Sequence, residues 1–220
     1  MKNITEAVNW RYSTKRFNPS KKISKEDFSH IENILLLSPT STNLQPLHFI
    51  IADDEAGKNR IAKAASEQPF SANKNKILNA SHVIVFCSKT EIDDKHLNDV
   101  IAQEDKDGRF VRPELTKEIM DNARRAYLNI HRSILKDEAV WHSKQSYIAF
   151  GEVLLGAAML GIDATPIEGV DINILNEEFN LIEKGYTAHT VITLGYRDEN
   201  DFNATLPKSR LPKSQIISKA

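Results

Sequence analysis

Apolar positions along the chain recur with two different periods. Ile31, Ile34, Leu35 and Leu37 follow helical spacing behind Ser24-Lys25-Glu26-Asp27, a start that resembles a capping box with Asp in the fourth place. That helix ends before Pro39. LHFIIAD (47–53) reads as a strand and residues 55–65 as a helix. HVIVFCS (82–88) is apolar without alternation, the pattern of a central strand covered on both faces. Helical patterns follow over 91–104, over 113–135 with Pro113 in the opening turn, and over 137–160. Residues 161–169 predict a strand broken by Pro166, 186–196 a further strand, and 207–217 an extended arm with two prolines. Helices outnumber strands without alternating regularly with them, which predicts an α+β fold. No repeat or linker-like stretch divides the chain, so residues 1–220 read as a single domain.

The stretch from Ile148 to Leu160 is apolar on every side apart from Gly151, Glu152 and Gly156. A helix apolar all round is buried, either in the core of one subunit or along a dimer seam. Its glycines would let another backbone approach closely. The same stretch is too short and too interrupted to cross a bilayer, and the opening MKNITEAVNW lacks the apolar core of a signal peptide. A cytoplasmic protein without a membrane anchor is the expectation.

Charge adds a second layer. Lys and Arg number 29 against 30 Asp and Glu, for a net charge of −1, which argues against a nucleic-acid partner. The balance is uneven, however. Residues 1–30 hold seven basic and three acidic side chains, and residues 204–220 hold four basic and none acidic. Two basic ends on an acidic body are either solvated tails or two halves of a site for an anion such as a cofactor phosphate. The single cysteine, Cys87, excludes an intramolecular disulfide and reads as a small core residue within its apolar run.

Several chemistries are excluded by motif. No G-x-G-x-x-G, Walker loop, G-x-S-x-G elbow or H-E-x-x-H helix is present. His131 and His142 have no second ligand at i+4, and Asp93, Asp94 and His96 read as a solvated helix start, so no metal site is expected. Three polar clusters remain: Arg11-Tyr12-Ser13-Thr14-Lys15-Arg16, the loop Ser38–Pro46, and Pro207-Lys208-Ser209-Arg210-Leu211-Pro212. The first and third combine forked guanidinium groups with hydroxyls and suit an anion. The second is a proline-stiffened polar loop of the kind that carries ligands or merely makes a turn.

In order and spacing, RYSTK, SPTSTNLQPLHFI, ASHVIVFC, QEDKDGRF, ATPIEG, EKGY and DFNATLPKSRLP resemble the nitroreductase family of FMN enzymes over nearly the whole chain. The similarity is closest to the oxygen-insensitive, NAD(P)H-dependent branch of enteric bacteria, also described as dihydropteridine reductases. The resemblance implies a central mixed β-sheet surrounded by helices, in an intertwined homodimer with FMN at the subunit interface.

By that resemblance Arg11, Ser13, Lys208 and Arg210 would hold the phosphate and ribityl end of FMN, with Tyr12, Thr14 and Ser209 in the same segments. Lys15, Asn73 and Lys76 would lie near the pyrimidine edge. Pro166, Ile167, Glu168 and Gly169 would lie beside the ring, the backbone amides near Glu168 and Gly169 facing N5 and O4. Pro39, Thr40, Ser41 and Asn43 would cover the cofactor from the other subunit, and Gln145 matches a further position near it. Tyr127 would gate the substrate, and Arg109, with Arg124, would meet the nicotinamide nucleotide, alongside Lys15 and Lys76. The chain departs from the enteric pattern at Thr40 for serine, Leu47 for tryptophan and Ala72 for phenylalanine, a wall that Phe70 could complete instead.

The activity implied is two-electron reduction of a small nitroaromatic acceptor, and of quinones or pteridines, by NADH or NADPH in a ping-pong cycle. No protein general acid is needed, because solvent or the flavin supplies protons. Three alternatives stand beside it: a reductase that releases reduced FMN, a flavin-binding module with little turnover, and an anion-binding protein without flavin.

Overall fold

The computed structural model describes residues 2–219. In chain order it contains α1 (Ile4–Trp10), α2 (Lys25–Leu37), β1 (Leu47–Ala52), α3 (Glu55–Ala62), α4 (Lys74–Asn79), β2 (His82–Lys89) and α5 (Asp94–Lys106). Then come α6 (Lys117–Asn129), α7 (Glu138–Leu160), β3 (Asp163–Ile167), α8 (Ile172–Glu178), β4 (Tyr186–Gly195) and the short α9 (Lys213–Ile216).

The four strands form one sheet in the order β1-β2-β4-β3, and every ladder in it is antiparallel. The expected mixed sheet is therefore antiparallel among its four strands, and the parallel pairing of Ser13 with Ala164 at the β3 edge is an isolated bridge outside them. Pro166 is tolerated in β3 because that strand lies at an edge, where a missing N–H breaks no ladder on the open side. In β2 the side chains alternate between two cores. Val83, Val85 and Cys87 enter one with Ile61, Ile77, Leu175 and Val191, while Ile84 and Phe86 enter the other with Ile31, Phe150, Val153 and Leu194. Helices therefore cover both faces, which explains the uninterrupted apolar run. Burial pushes the Cys87 thiol up to about 12, so it stays an inert core residue. Opposite Phe86 and Cys87 the register shifts, leaving His189 of β4 as the extra residue of a bulge.

Both boundaries of α6 differ from expectation. The α6 helix starts at Lys117, where the Thr116 side chain accepts from the Ile119 amide, so Pro113 lies in the preceding loop. It ends in a π-helical turn over Ile130–Ile134. The long α7 buries Ala149, Phe150, Val153 and Ala157 on one side. Gly156 lies against α2, because a Cβ there would collide with Ile34 Cδ1. Gly151 instead faces open space, next to exposed Tyr147 and Ile148. No helix among the described residues is long and apolar enough to cross a membrane.

Candidate functional site

The residues after α1 run along the β3 edge. Beside the Ser13–Ala164 bridge, the Thr14 amide donates to the Ala164 carbonyl at 3.4 Å and the Thr165 hydroxyl donates to the Thr14 carbonyl. The C-terminal segment then folds over them. Asp201, 2% exposed, accepts from the Tyr12 hydroxyl and the Lys15 amide, each at 3.0 Å. Asn203 donates to the Ser13 carbonyl at 2.8 Å, and the Lys208 ammonium donates to the Arg11 carbonyl. The basic clusters at the two ends of the sequence are thereby brought together.

They line one cavity of about 450 Å³ that includes Arg11, Ser13, Lys15, Lys208, Ser209 and Arg210. Arg197 at its rim is neutralised by Asp163 at 2.6 Å and lies over the Trp10 and Tyr12 rings. No carboxylate among the described residues pairs with Arg11, Lys15, Lys208 or Arg210. Burial, and then Arg210, pull the Arg11 pKa down; burial, Arg11 and Arg210 do the same to Lys208. The Arg11 Nε is buried without a hydrogen-bond partner. Neighbouring cations with one buried donor left unused are an arrangement that suits an anion.

A second group adjoins the first. Asn73 donates to the Gly169 carbonyl at 2.8 Å and accepts from Lys76 at 2.7 Å. Burial, and then Lys15, lower the Lys76 pKa. Gly169 must lack a side chain here, since a Cβ would come within 2.7 Å of Asn73 Nδ2, and the Phe70 ring lies just beyond. The Glu168 carboxylate accepts from the Tyr147 hydroxyl at 2.6 Å. Burial, and then that contact, raise the Tyr147 pKa to about 12. The side chain of Glu168 is thus occupied with α7, while the 166–169 backbone continues from the β3 edge.

The structure does not bring the third group into this cavity. Pro39, Thr40, Ser41 and Asn43 belong to a loop fixed from the α5, α6 and α7 side. Gln145, 6% exposed, accepts from the Ser41 amide at 2.8 Å. The Asn43 side chain donates to Glu104 at 2.7 Å. The cavity beside this loop, about 430 Å³, contains Thr40, Leu47 and His48 and none of the basic cluster. Tyr127 is exposed on α6, and Arg109 is exposed 3.8 Å from Glu104. Arg124 departs from the expectation of a nucleotide contact: its guanidinium is fully buried against Glu104. Asp93 caps α5 and His96 contacts the Leu44 carbonyl at 2.7 Å, so both are engaged in local structure.

Sequence reasoning did not single out Asp201, Asn203, Glu104 or Tyr147. The first two lie within DFNATLPKSRLP, where a lone acid and amide upstream of a basic fork was the available signal.

The sequence profile of the nitroreductase family matches residues 8–196. The chain is 52% identical over 216 residues to the oxygen-insensitive NAD(P)H nitroreductase of Salmonella typhimurium, covering 98% of this chain and 99% of that one. It is 49% identical to the enzyme of that name from Enterobacter cloacae, covering 94% and 95%. It is 32% identical to the major NAD(P)H-flavin oxidoreductase of Aliivibrio fischeri, with 94% of each chain covered. A nitroreductase-type protein of Exiguobacterium sibiricum, solved with FMN, shares the fold at a TM-score of 0.78 and 23% identity, covering 100% and 98%. With its cavity built from both basic ends, its α+β sheet and these relatives, the chain belongs to the nitroreductase family.

Proposed function

We propose that this protein is an FMN-dependent NAD(P)H oxidoreductase that reduces nitroaromatics, and quinones or pteridines, by two-electron transfer in a ping-pong cycle. The observation that carries the reading is the uncompensated cation cluster of Arg11, Lys208 and Arg210, with a buried Arg11 Nε awaiting an acceptor. A phosphate monoester meets that demand, because its oxygens accept several charge-assisted hydrogen bonds at once. FMN, when bound, supplies a carrier that takes a hydride from the nicotinamide and passes it to the acceptor.

The chain's own groups hold and tune that carrier. Arg11, Ser13, Lys208, Ser209 and Arg210 would hold the phosphate end, and Asp201 and Asn203 keep their two segments together. Lys15 and Lys76 set positive charge beside the Asn73–Gly169 contact, where it favours negative charge that develops on reduction. The backbone of Pro166, Ile167, Glu168 and Gly169 would lie beside the ring. Solvent provides protons, so no side chain is needed as a general acid.

The remaining residues imply a homodimer. Pro39, Thr40, Ser41, Asn43 and Gln145 lie away from the chain's own basic cavity and suit the cofactor of a second copy. The open face of α7 around Tyr147, Ile148 and Gly151, and the exposed Leu36 and Leu37 of α2, offer an apolar surface for it. Tyr127 and Arg109, on the same side as the loop, would meet the acceptor and the nucleotide at the shared site.

Steady-state kinetics test the reading. NADH varied at several fixed concentrations of a nitrofuran gives parallel double-reciprocal lines if both use one site in turn. Intersecting lines contradict the shared site, and absence of NADH oxidation contradicts the activity.

A further inference from the structure

The loop between α2 and β1 holds an unusual concentration of backbone strain. Thr42, Asn43 and Gln45 have φ of 53°, 51° and 53°, and none of them is glycine. Side-chain-bearing residues adopt this region only where their surroundings enforce it. The Gln45 amide is held within the loop by the Thr40 hydroxyl, while Ser41, Thr42, Asn43 and Leu44 are held from three helices. Arg124 of α6 donates from Nε to the Thr42 carbonyl at 3.0 Å and from Nη2 to Glu104 Oε1 at 2.8 Å. The same oxygen of Glu104, on α5, accepts from the Asn43 side chain at 2.7 Å. His96 of α5 holds the Leu44 carbonyl, and Gln145 of α7 holds the Ser41 amide.

The Glu104–Arg124 pair is fully enclosed, at 3% and 0% side-chain exposure. Glu104 Oε2 and Arg124 Nη1 are buried without partners. An ion pair buried this way, with its hydrogen-bonding capacity half used, is a poor source of stability compared with apolar groups of similar volume. What it does provide is direction: the two charges fix one carbonyl and one side chain of the strained loop at once.

We infer that Glu104 and Arg124 are positioning residues, whose function is to set Thr42 and Asn43 in the geometry with which this loop covers the cofactor of the neighbouring subunit. The assignment rests on the flavin reading above. Neither residue touches the cofactor; both act through the loop.

The test compares the holoenzyme with the double variant Glu104→Leu/Arg124→Met, in which apolar groups replace the pair and the fold should persist. Amide hydrogen exchange is followed at residues 41–45 and at β2 as an internal reference. FMN affinity is measured by quenching of flavin fluorescence. We expect exchange in the loop to rise about tenfold while β2 is unchanged, and the FMN Kd to rise about tenfold, the equivalent of losing one good hydrogen bond. Parent-like exchange and affinity in the folded double variant overturn the inference, and so does a rise in exchange that includes β2 equally. Should the double variant not fold, Arg124→Lys keeps a cation beside Glu104 while losing the fork to Thr42, and the same two outcomes apply. A parent protein that binds no FMN refutes the flavin reading, and the exchange measurement still decides whether the pair positions the loop.

Discussion

The Lys15 amide donates to the Asp201 carboxylate at 3.0 Å across a sequence separation of 186 residues. The same carboxylate oxygen accepts from the Tyr12 hydroxyl, and Asp201 also caps the turn that begins at Phe202 by accepting from the Asn203 amide. One buried acid thereby ties the N-terminal basic segment to the C-terminal one, and positions cations it does not neutralise. Asp201→Ala is expected to lower stability by about 1–3 kcal/mol, because it leaves buried donors unpaired. It should also weaken FMN binding, since Lys208 and Arg210 lose their register with Arg11. Urea unfolding and FMN titration read the two effects. Loss of stability with unchanged affinity would separate the tie from the site.

Arg210→Ala removes one cation from the cluster. The FMN Kd is expected to rise roughly tenfold or more, as for loss of a charge-assisted hydrogen bond. The Arg11 guanidinium, held down in part by Arg210, would recover toward its ordinary value. An unchanged Kd would take the phosphate away from this cavity.

Lys15 and Lys76 are coupled, since Lys15 contributes to lowering the Lys76 pKa. Lys15→Ala is expected to make the bound flavin harder to reduce, moving its midpoint potential down, because a cation near developing negative charge is lost. Potentiometric titration with reference dyes gives the sign, and an unshifted potential would place Lys15 away from the ring.

Acid sensitivity should originate in the β4 bulge. The His189 imidazole contacts the Ser88 hydroxyl at 2.7 Å, and burial, then His142, push its pKa down to about 4. Burial also lowers His142, His96, His82 and His48. These groups take up protons more readily in the unfolded chain. Their stabilising effect is therefore complete above the ordinary histidine pKa of about 6.5 and is lost as pH falls from there toward 4. Urea midpoints should drop between pH 7 and pH 5, and His189→Gln should shrink that drop. An equal drop in the variant would assign the dependence to the other histidines.

How much of this was legible in the sequence depends on which interaction decided each element. The β2 run was readable because both of its faces are covered, so no polar residue interrupts it. The convergence of the basic ends was readable from charge distribution as one of two options, but the means, Asp201 and Asn203, lay in a segment with no periodic signal. The α6 start was misplaced at Pro113 because the competing cap, Thr116, lies only three residues on and the proline remained in the loop. The strained loop was visible as polar and proline-bounded. The left-handed Thr42 and Asn43 were not, because Glu104 and Arg124 hold them from helices distant in sequence. Arg124, placed near the nucleotide by the resemblance alone, has no signal in the chain for its burial, because its partner Glu104 lies on another helix. Roles within the site came from the family resemblance, since no spacing in the chain distinguishes a phosphate fork from a solvated one.

The central claim is that this chain holds a flavin which accepts two electrons from a nicotinamide and returns them to a nitro group. An anaerobic visible spectrum of the purified protein, recorded before NADH, after NADH and after addition of a nitrofuran, tests it directly. The account predicts a yellow flavin spectrum that bleaches without a persistent semiquinone and is restored by the nitrofuran. A colourless protein that cannot be reconstituted with FMN, or a bound flavin that NADH leaves oxidised, would contradict it.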